Sequence, residues 1–462
     1  MAHLSNRSES NAITPLRVQP LTYLFLLACA VSIFAPRVYA LPSYARQTGQ
    51  RCAACHVGGN WPQLTPWGRF FKLAGYAAGK SFVDREGFQY APVGGLMRTG
   101  VTWAAQPNNS QGQTVIAHNG NPELYDAFGE VGTKFTDWSG IFLEYGVNNT
   151  FPGWKGVEGP VDIRATHFFH PGNHELLAGF DMNNAPTLQD VWNTIPAWSY
   201  PFYGSPQAPG APASVMMANL PNAVGSIGAY ALFDRHIYAE VSMYHVGNDF
   251  FRFMNGGTAS DKVPYLHNWN PYWRAYWTTD KGPNVWMAGT FGMQAGVYPN
   301  SAVHSGPTNN FYDTGIDGQY QHLGDNRKLT VRAAYIYEQQ HWWGSYPLGN
   351  SAVPKGNLKN VNISGSYALG DKWTFSAAFL LTNGSSNAAL YGVSDSNGNL
   401  LSSKPNTTGY TLEIDRTLTQ NILAMVQYKG FSKFNGLGNN IDGLGRKPYD
   451  NNTLWINLFF AF

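Results

Sequence analysis

The stretch "NTLWINLFFAF", residues 452–462, places an apolar side chain at every second position. These side chains share one face of an extended strand, because successive strand residues point to opposite sides. The alternating positions are Leu454, Ile456, Leu458, Phe460 and Phe462. A buried edge strand of a soluble β-sandwich would show the same alternation. An alternating strand that closes on a terminal aromatic residue favours instead the last strand of an outer-membrane barrel.

Similar alternating segments recur toward the N-terminus and pair into hairpins. Their turns carry Asp, Asn, Gly and Pro, the residues that tight turns require. Seven hairpins are predicted, over residues 125–147, 161–182, 227–246, 272–297, 315–337, 360–381 and 410–431. Single strands at 92–104 and 452–462 bring the predicted total to sixteen.

Long polar segments separate the hairpins. They cover residues 105–123, 149–160, 183–224, 247–270, 299–310, 339–357, 384–408 and 432–451. Short turns on one side and long loops on the other are typical of outer-membrane barrels. The sequence therefore predicts an all-β fold, a transmembrane antiparallel β-barrel of about 16 strands over residues 91–462. An even strand number puts both barrel ends on the periplasmic side, with the loops facing outward to the cell exterior.

Composition agrees with this fold. Charged residues are only 13% of the 462-residue chain, aromatic residues are 15%, and there are 50 glycines. The formal net charge of +2 gives no indication of nucleic-acid binding. Mean hydropathy is slightly negative at −0.27, as expected where lipid-facing and lumen-facing residues alternate.

Strand parity predicts a hydrated lumen of mixed charge. The positions expected to face inward are Glu130, Lys134, Asp162, Arg164, Thr166, Glu413 and Asp415. Their neighbours Val131, Ile163, Ala165, Leu412 and Ile414 are expected to face lipid. The inward charges either solvate the pore or form specific ion sites.

The N-terminus has the features of a secretory signal peptide over residues 1–40. Arg7 and Arg17 precede an apolar core at 21–35, and "RVYA" at 37–40 is a cleavage pattern that leaves Leu41 first in the mature chain. A lipoprotein site at Cys29 and a retained membrane anchor are the alternatives. No apolar run of membrane-spanning length follows residue 40, so no transmembrane helix is expected.

Residues 50–59, "QRCAACHVGG", contain a C-x-x-C-H motif. In such a motif the thiols of Cys52 and Cys55 form thioethers to haem, and His56 is the proximal iron ligand. The alternatives are a redox disulfide, a zinc site and a chance match. The thioredoxin-like context and the further metal ligands that the first two need are missing from the surrounding sequence. We expect one haem c per chain.

Residues 41–90 therefore form a predicted monohaem cytochrome c segment. About fifty residues are few for burying a haem, whereas a sixteen-stranded barrel has a lumen too wide for side chains to fill. The segment is thus expected to plug the lumen. Arg69 and Lys72 are candidates for contacts to the haem propionates, or else they face water.

The distal haem ligand is left open by the sequence. Met97 on the first strand and His118 in the first long loop are candidates, and a more distant residue is a third possibility. Four aromatic residues, Trp61, Trp67, Phe70 and Phe71, are expected to pack on the haem, on the barrel wall or in a small core. Five histidines near strand ends are expected at the interface or in solvent, namely His167, His170, His174, His236 and His245.

Residues 44–76 resemble the haem segment of the fused outer-membrane monohaem cytochrome c–porins of iron-oxidising bacteria. The match consists of "ARQTG" before the haem cysteines and "P-x-L-T-P-x-G-R-x-F-K-L-x-G-Y" after them. The resemblance implies that Cys52, Cys55 and His56 hold the haem. It also implies Fe(II) oxidation at the cell surface of a Gram-negative bacterium, that is, iron oxidase activity.

The implied partners are extracellular Fe(II) as electron donor, a periplasmic cytochrome c or copper protein as acceptor, and the lipid of the outer membrane. A homotrimer is also considered, since many porins trimerise. Three other functions stay open: electron transfer from a different extracellular donor, a diffusion porin with a structural haem, and a soluble periplasmic cytochrome fused to a β-sandwich.

Overall fold

The computed structural model describes residues 42–59, 63–148, 155–195, 204–218, 220, 224–247, 251, 254 and 264–462. The predicted signal peptide at 1–40, the alternative site at Cys29 and the side chain of Trp61 lie outside these residues. Within them, no helix has both the length and the apolar character needed to cross a membrane.

Sixteen antiparallel strands form a closed barrel, which we number β1–β16 in chain order. Each strand pairs with the next, and β16 pairs with β1 to complete the circle. The strands are Val93–Ala104, Pro122–Thr136, Ser139–Asn148, Lys155–Phe169, Leu176–Asn183, Val224–Phe233, Ile237–Val246, Asn270–Lys281, Asn284–Val297, Asn309–Leu323, Arg327–His341, Lys355–Leu369, Trp373–Gly384, Thr407–Thr419, Ile422–Lys433 and Thr453–Ala461. The predicted fold and strand number are confirmed.

Several strand boundaries differ from the prediction by a few residues. The sequence of the predicted hairpin 410–431 places its turn at residues 417–419, yet these residues belong to β14, and the turn lies at Gln420 and Asn421. The strand continues because Thr417 N–H donates to Lys372 O at 2.9 Å and Leu418, 51% exposed, extends the outer apolar face. Strand β4 begins at Lys155, so the preceding loop is shorter than expected.

Side chains alternate between the lumen and the outer surface. On β14, Glu413 and Asp415 are buried in the lumen, whereas Leu412 and Ile414 are 51% and 45% exposed on the outer face. Lys134, Asp162, Arg164 and Thr166 are likewise buried, which confirms their predicted inward direction. Exposed tryptophans lie on the outer face of the strands (Trp103, Trp277 and Trp286) and beside strand ends (Trp138 and Trp343), as in barrels that sit in lipid.

Three short helices precede the barrel: α1 at Ser43–Thr48, α2 at Cys52–Cys55 and α3 at Pro66–Leu73. The sequence "GRFFKLAGYAAGK" at 68–80 predicts a short helix here, whereas α3 begins two residues earlier and ends at Leu73. Thr65 caps it by accepting a hydrogen bond from Gly68 N–H at 3.1 Å, and Pro66 occupies the first turn. A small hairpin pairs residues 83–84 with 87–88 and leads into β1.

This N-terminal segment, residues 42–90, plugs the lumen at the end that carries the short turns. Tyr76 Oη donates to Asp162 Oδ2 on β4 at 2.6 Å, Arg69 Nη1 to Gln321 Oε1 on β10 at 2.8 Å, and Gln63 Nε2 to Ser366 Oγ on β12 at 2.6 Å. Contacts to strands spread around the barrel fix the plug across its mouth. The predicted plug is confirmed.

One long loop does not face outward as predicted. After β5, residues 184–195 turn into the lumen and are buried throughout. Arg274 on β8 forms ion pairs with Asp190 of this inserted loop at 3.2 Å and with Asp317 on β10 at 2.6 Å. The wall charges explain the insertion, because a buried Arg274 and Asp317 need polar partners inside the lumen.

The same connection forms a further layer toward the long-loop end. Ser205 Oγ contacts Thr102 Oγ1 on β1 at 2.5 Å, and Met216 N–H donates to Asp313 Oδ2 on β10 at 3.1 Å. Lys429 Nζ donates to Pro209 O at 2.9 Å. The lumen is therefore filled in layers: the plug, then residues 184–195, then residues 204–218.

Candidate haem-binding site

Helix α2 holds both cysteines of the motif. Cys52 and Cys55 are three positions apart, so their side chains lie on one face of the helix. Both thiols are free, and His56 follows as the C-terminal cap, its N–H donating to Cys52 O at 2.8 Å. The backbone therefore presents two thiols and an imidazole within one turn.

Helix α3 packs directly on α2 and fixes its position. Thr65 N–H donates to Cys55 O at 2.9 Å, and Thr65 Oγ1 donates to Ala54 O at 2.6 Å. Gly68 faces the carbonyl of Cys55, and a Cβ at that position would clash with it. The sequence "LTPWG" after the motif thus supplies a cap, a helix start and the close approach that holds the cysteines in place.

A cavity that is partly open to solvent adjoins these three side chains. Cys52, Cys55 and His56 all line it. The rest of its wall is largely apolar and comes from the plug, the inserted loop and the barrel, including Phe71, Leu188, Leu96, Phe142, Phe459 and Ala461. The thiols, the imidazole and an apolar cavity meet in one place, so the residues present fit a covalently attached haem.

Burial sets the protonation of the motif. It lowers the pKa of His56 to about 4, so the ring is neutral near neutral pH, the form in which imidazole binds a metal. Burial also raises the pKa of Cys55 to about 11, with a smaller contribution from Cys52. The protein around the motif therefore does not favour a reactive thiolate.

The prediction of Met97 as distal ligand is wrong. Met97 pairs with Phe460 across the β1–β16 seam, while the residues that line the cavity are its neighbour Leu96 and, on β16, Phe459 and Ala461. Paired residues of adjacent strands share a face, so Met97 and Phe460 are on the lipid side. His118 is also remote: it is in the loop after β1, at the opposite barrel end, where Nδ1 is 3.1 Å from Glu123 Oε1.

The two basic candidates for propionate contacts are separated by the structure. Arg69 does not line the cavity: it donates to Leu64 O at 2.7 Å and to Gln321, and its guanidinium lies 3.8 Å from the ring centroid of Trp192. These contacts hold Arg69 against the barrel wall and the inserted loop, away from the cavity. Lys72 does line the cavity and forms an ion pair with Asp162 at 3.3 Å. Its role at a propionate stays a prediction.

Of the aromatic residues of the plug, some line the cavity and others lie outside it. Phe71 lines the cavity and packs edge-on against Tyr44 at 5.0 Å between ring centroids. Phe70 packs against Phe168 on the barrel wall, and Trp67 is 42% exposed. Of the strand-end histidines, His167, His170, His174 and His236 are exposed and His245 is partly buried, in agreement with interfacial positions.

Sequence reasoning missed several residues of the cavity. Tyr44 and Tyr76 stack with ring centroids 5.2 Å apart on the plug side. Glu130 and Glu144 line the barrel side, and Leu188 comes from the inserted loop. Glu130 was assigned to the lumen by parity, but nothing local in the sequence indicates which strands border the plug. Among the described residues, no group of three or more His, Cys, Asp or Glu is arranged to hold a metal ion.

No protein-family model matches the chain, and no curated protein matches it significantly. Solved outer-membrane proteins are similar in structure. A loop L8 deletion mutant of OmpT of Vibrio cholerae is 11% identical, with a TM-score of 0.44 over 80% of this chain and 98% of that chain. OmpF of Salmonella typhi, in complex with daunomycin, is 8% identical, with a TM-score of 0.43 over 80% and 97%.

The outer membrane channel DcaP of Acinetobacter baumannii is 10% identical, with a TM-score of 0.42 over 80% of this chain and 96% of that chain. At these identities and TM-scores the likeness is one of architecture alone. The closed barrel of sixteen antiparallel strands is the architecture of an outer-membrane porin.

Proposed function

We propose that the protein is an outer-membrane c-type cytochrome that oxidises extracellular Fe(II) and passes the electrons to a periplasmic carrier. The observation that carries the proposal is the cavity shared by Cys52, Cys55 and His56 inside the barrel mouth. The choice of Fe(II) as donor rests on the resemblance of residues 44–76 to the haem segment of cytochrome–porins from iron-oxidising bacteria.

Each group around the cavity has a task in this proposal. Cys52 and Cys55 hold the haem covalently, and His56 binds its iron through a neutral ring. A bound haem c supplies a one-electron centre whose potential depends on its ligands and on the polarity of its surroundings. Phe71, Leu96 and Phe459 exclude water from that centre, and Lys72 offers a positive charge at its edge.

The position of the cavity favours transfer to a periplasmic partner. With the short turns on the periplasmic side, α2 lies at the inner mouth, and Arg51 and Gln50 are exposed beside it. The acceptor is a periplasmic cytochrome c or copper protein. A lipid bilayer is about 30 Å thick in its hydrocarbon core, so the electron from an external donor crosses the layers formed by residues 204–218 and 184–195.

The test uses outer membranes that contain the mature chain. A pyridine haemochrome spectrum reports covalent haem, and anaerobic Fe(II) is then added to the oxidised protein while its absorbance is followed. Fe(II) is expected to reduce the haem, as dithionite does. Haem that dithionite reduces and Fe(II) does not would remove the iron role, while reduction by another donor would leave electron transfer in place. A colourless, fully matured protein would end the proposal altogether.

A diffusion porin with a structural haem is the second candidate, supported by the porin-like barrel. The two functions differ in whether ions and small solutes can pass through the lumen. A filled lumen predicts little single-channel conductance in planar bilayers, whereas an open porin conducts ions continuously. Conductance like that of an open porin, together with haem that Fe(II) does not reduce, would favour the second candidate.

A further inference from the structure

Two carboxyl side chains face each other on the barrel side of the cavity. Glu130 on β2 and Glu144 on β3 are direct cross-strand partners, and both line the cavity together with Cys52, Cys55 and His56. Glu144 is only 8% exposed. Because directly paired residues share a face of the sheet, the two carboxyl groups lie side by side.

Two carboxylates in contact cannot both stay ionised in a poorly solvated site, so the pair holds one proton in common. Such a pair carries one negative charge and has room for a second proton. It is therefore a proton store that lines the same cavity as the thiols and imidazole of the motif.

The charged and titratable groups that face the pair come from three elements. On β1 and β2, Arg98 Nε donates to both oxygens of Asp126 at 3.0 Å, so these two charges largely offset each other. On α1, Arg46 Nε donates to Ala91 O at 3.0 Å, and Tyr44 Oη to Ile141 O at 2.6 Å. On β4, Gly159 presents no side chain to Glu144, and a Cβ there would lie 2.5 Å from Glu144 Cβ.

We propose that the Glu130–Glu144 pair takes up a proton when the haem of the proposed function is reduced, and releases it when the haem is oxidised. This inference rests on the proposed function, because it needs a haem in the cavity.

The step is balanced. One electron from the Fe(II) donor enters the haem, the donor becomes Fe(III), and one proton from lumen water binds the pair. When the periplasmic carrier takes the electron, that proton returns to water. The physical reason is Coulombic: an added electron in a poorly solvated cavity raises the proton affinity of nearby carboxylates. Glu130 and Glu144 touch neither iron nor donor in this scheme and act by setting the charge around the haem.

The experiment is a potentiometric titration of the purified haem-loaded protein between pH 5 and pH 8, followed by haem absorbance. The haem potential of the native protein is expected to fall as pH rises, by up to about 59 mV per pH unit, which is a tenfold change in equilibrium constant for one electron. Glu144→Gln and Glu130→Gln keep the size and hydrogen-bonding capacity of each side chain but remove the shared titration. Each is expected to flatten the pH dependence.

Glu240→Gln is the matched control. Glu240 is a buried lumen carboxyl on β7 that does not line the cavity and accepts hydrogen bonds from Tyr238 and Ser242. This variant should keep the native slope. Heat-modifiable gel mobility shows that each variant has folded, and having two single variants keeps the test decisive if one fails to assemble.

A pH-independent potential in the native protein, or an unchanged slope in both Gln variants, would overturn the inference while leaving the cytochrome intact. Absence of a haemochrome spectrum would instead overturn the proposed function itself. The two failures are thus distinguished by separate readouts.

Discussion

The plug and the inserted loop occupy the same lumen and use the same kind of anchor. Only the plug carries side chains of the types that attach and ligate a haem. Lys72 and Tyr76 of the plug bind Asp162, which Arg164 Nε also contacts at 3.0 Å. Asp190 and Thr194 of the loop bind the Arg274–Asp317 pair in an equivalent way. Among its contacts to the wall, each insert thus has one buried wall aspartate, Asp162 for the plug and Asp317 for the loop.

The difference lies in what each insert presents to the interior. The plug turns two thiols and an imidazole toward a cavity, whereas residues 184–195 contribute mainly a lid of side chains and backbone. Leu188 and Asn193 of the loop complete the cavity from above. The barrel wall therefore supplies polar side chains that anchor both inserts. The side chains of the inserted segment determine which ligand the lumen can bind.

The largest expected effect comes from removing the two thiols of the plug while keeping its contacts to the barrel wall. The double variant Cys52→Ala/Cys55→Ala is expected to lose all covalent haem, because no thioether is left. Haem staining of denaturing gels measures this directly. His56→Ala should retain stained haem but change its spectrum. Normal staining of the double cysteine variant would show that the motif does not attach haem.

The next effect separates the two anchors. Asp162→Asn is expected to weaken docking of the plug by about 3–5 kcal/mol, because Arg164 and Lys72 lose a buried partner. Asp317→Asn should do the same to the inserted loop through Arg274. Limited proteolysis with mass spectrometry should then find cleavage within 42–90 in the first variant and within 184–195 in the second. The same cleavage pattern in both variants would contradict independent anchoring.

A smaller effect measures the contact between the two inserts. The guanidinium of Arg69 lies over the ring of Trp192, and both are buried. A double-mutant cycle with Arg69→Met and Trp192→Leu should give a coupling of about 2 kcal/mol in the free energy of unfolding. The exposed Trp67 is the control partner, with a coupling to Arg69 near zero. Equal couplings would mean that the ring contact is not what joins plug and loop.

The smallest effect tests the direction of neighbouring side chains on β1. Met97→Leu, on the lipid side, is expected to leave the haem spectrum and potential unchanged. Leu96→Gln, one position earlier, places a polar group in the cavity and should shift the potential, since the polarity around a metal site helps set it. A spectrum altered by Met97→Leu and untouched by Leu96→Gln would reverse the assignment of the two faces.

The barrel was accessible from the sequence because its signal is local. A period of two appears within each strand, and turn residues mark the short connections. These local patterns predict sixteen strands without knowledge of any long-range contact. The motif at 52–56 is equally local. The sequence does not indicate which side chains of β1 face the lumen. Leu96 and Met97 are both apolar, and Gly94 and Gly95 before them show no alternation.

The insertion of residues 184–195 into the lumen could not be predicted from the sequence, for a different reason. Its cause is the meeting of Asp190, Arg274 and Asp317, which are far apart in the chain and become neighbours only when β8 and β10 are in the barrel. The position of Arg69 outside the cavity has the same cause, since its partners Gln321 and Trp192 are distant in sequence. Local patterns predicted the elements, while contacts inside the lumen depended on closure of the whole sheet.

The seam between β1 and β16 contributes Leu96, Phe459 and Ala461 to the cavity wall. The pocket thus has no complete wall until the first and last strands have met. A chain halted before that step would present the face of helix α2 to water, and any porphyrin already tethered there would be solvated and open to bystander oxidants. Completion of the cylinder and closure of the cavity wall beside Cys52, Cys55 and His56 are therefore a single event of assembly.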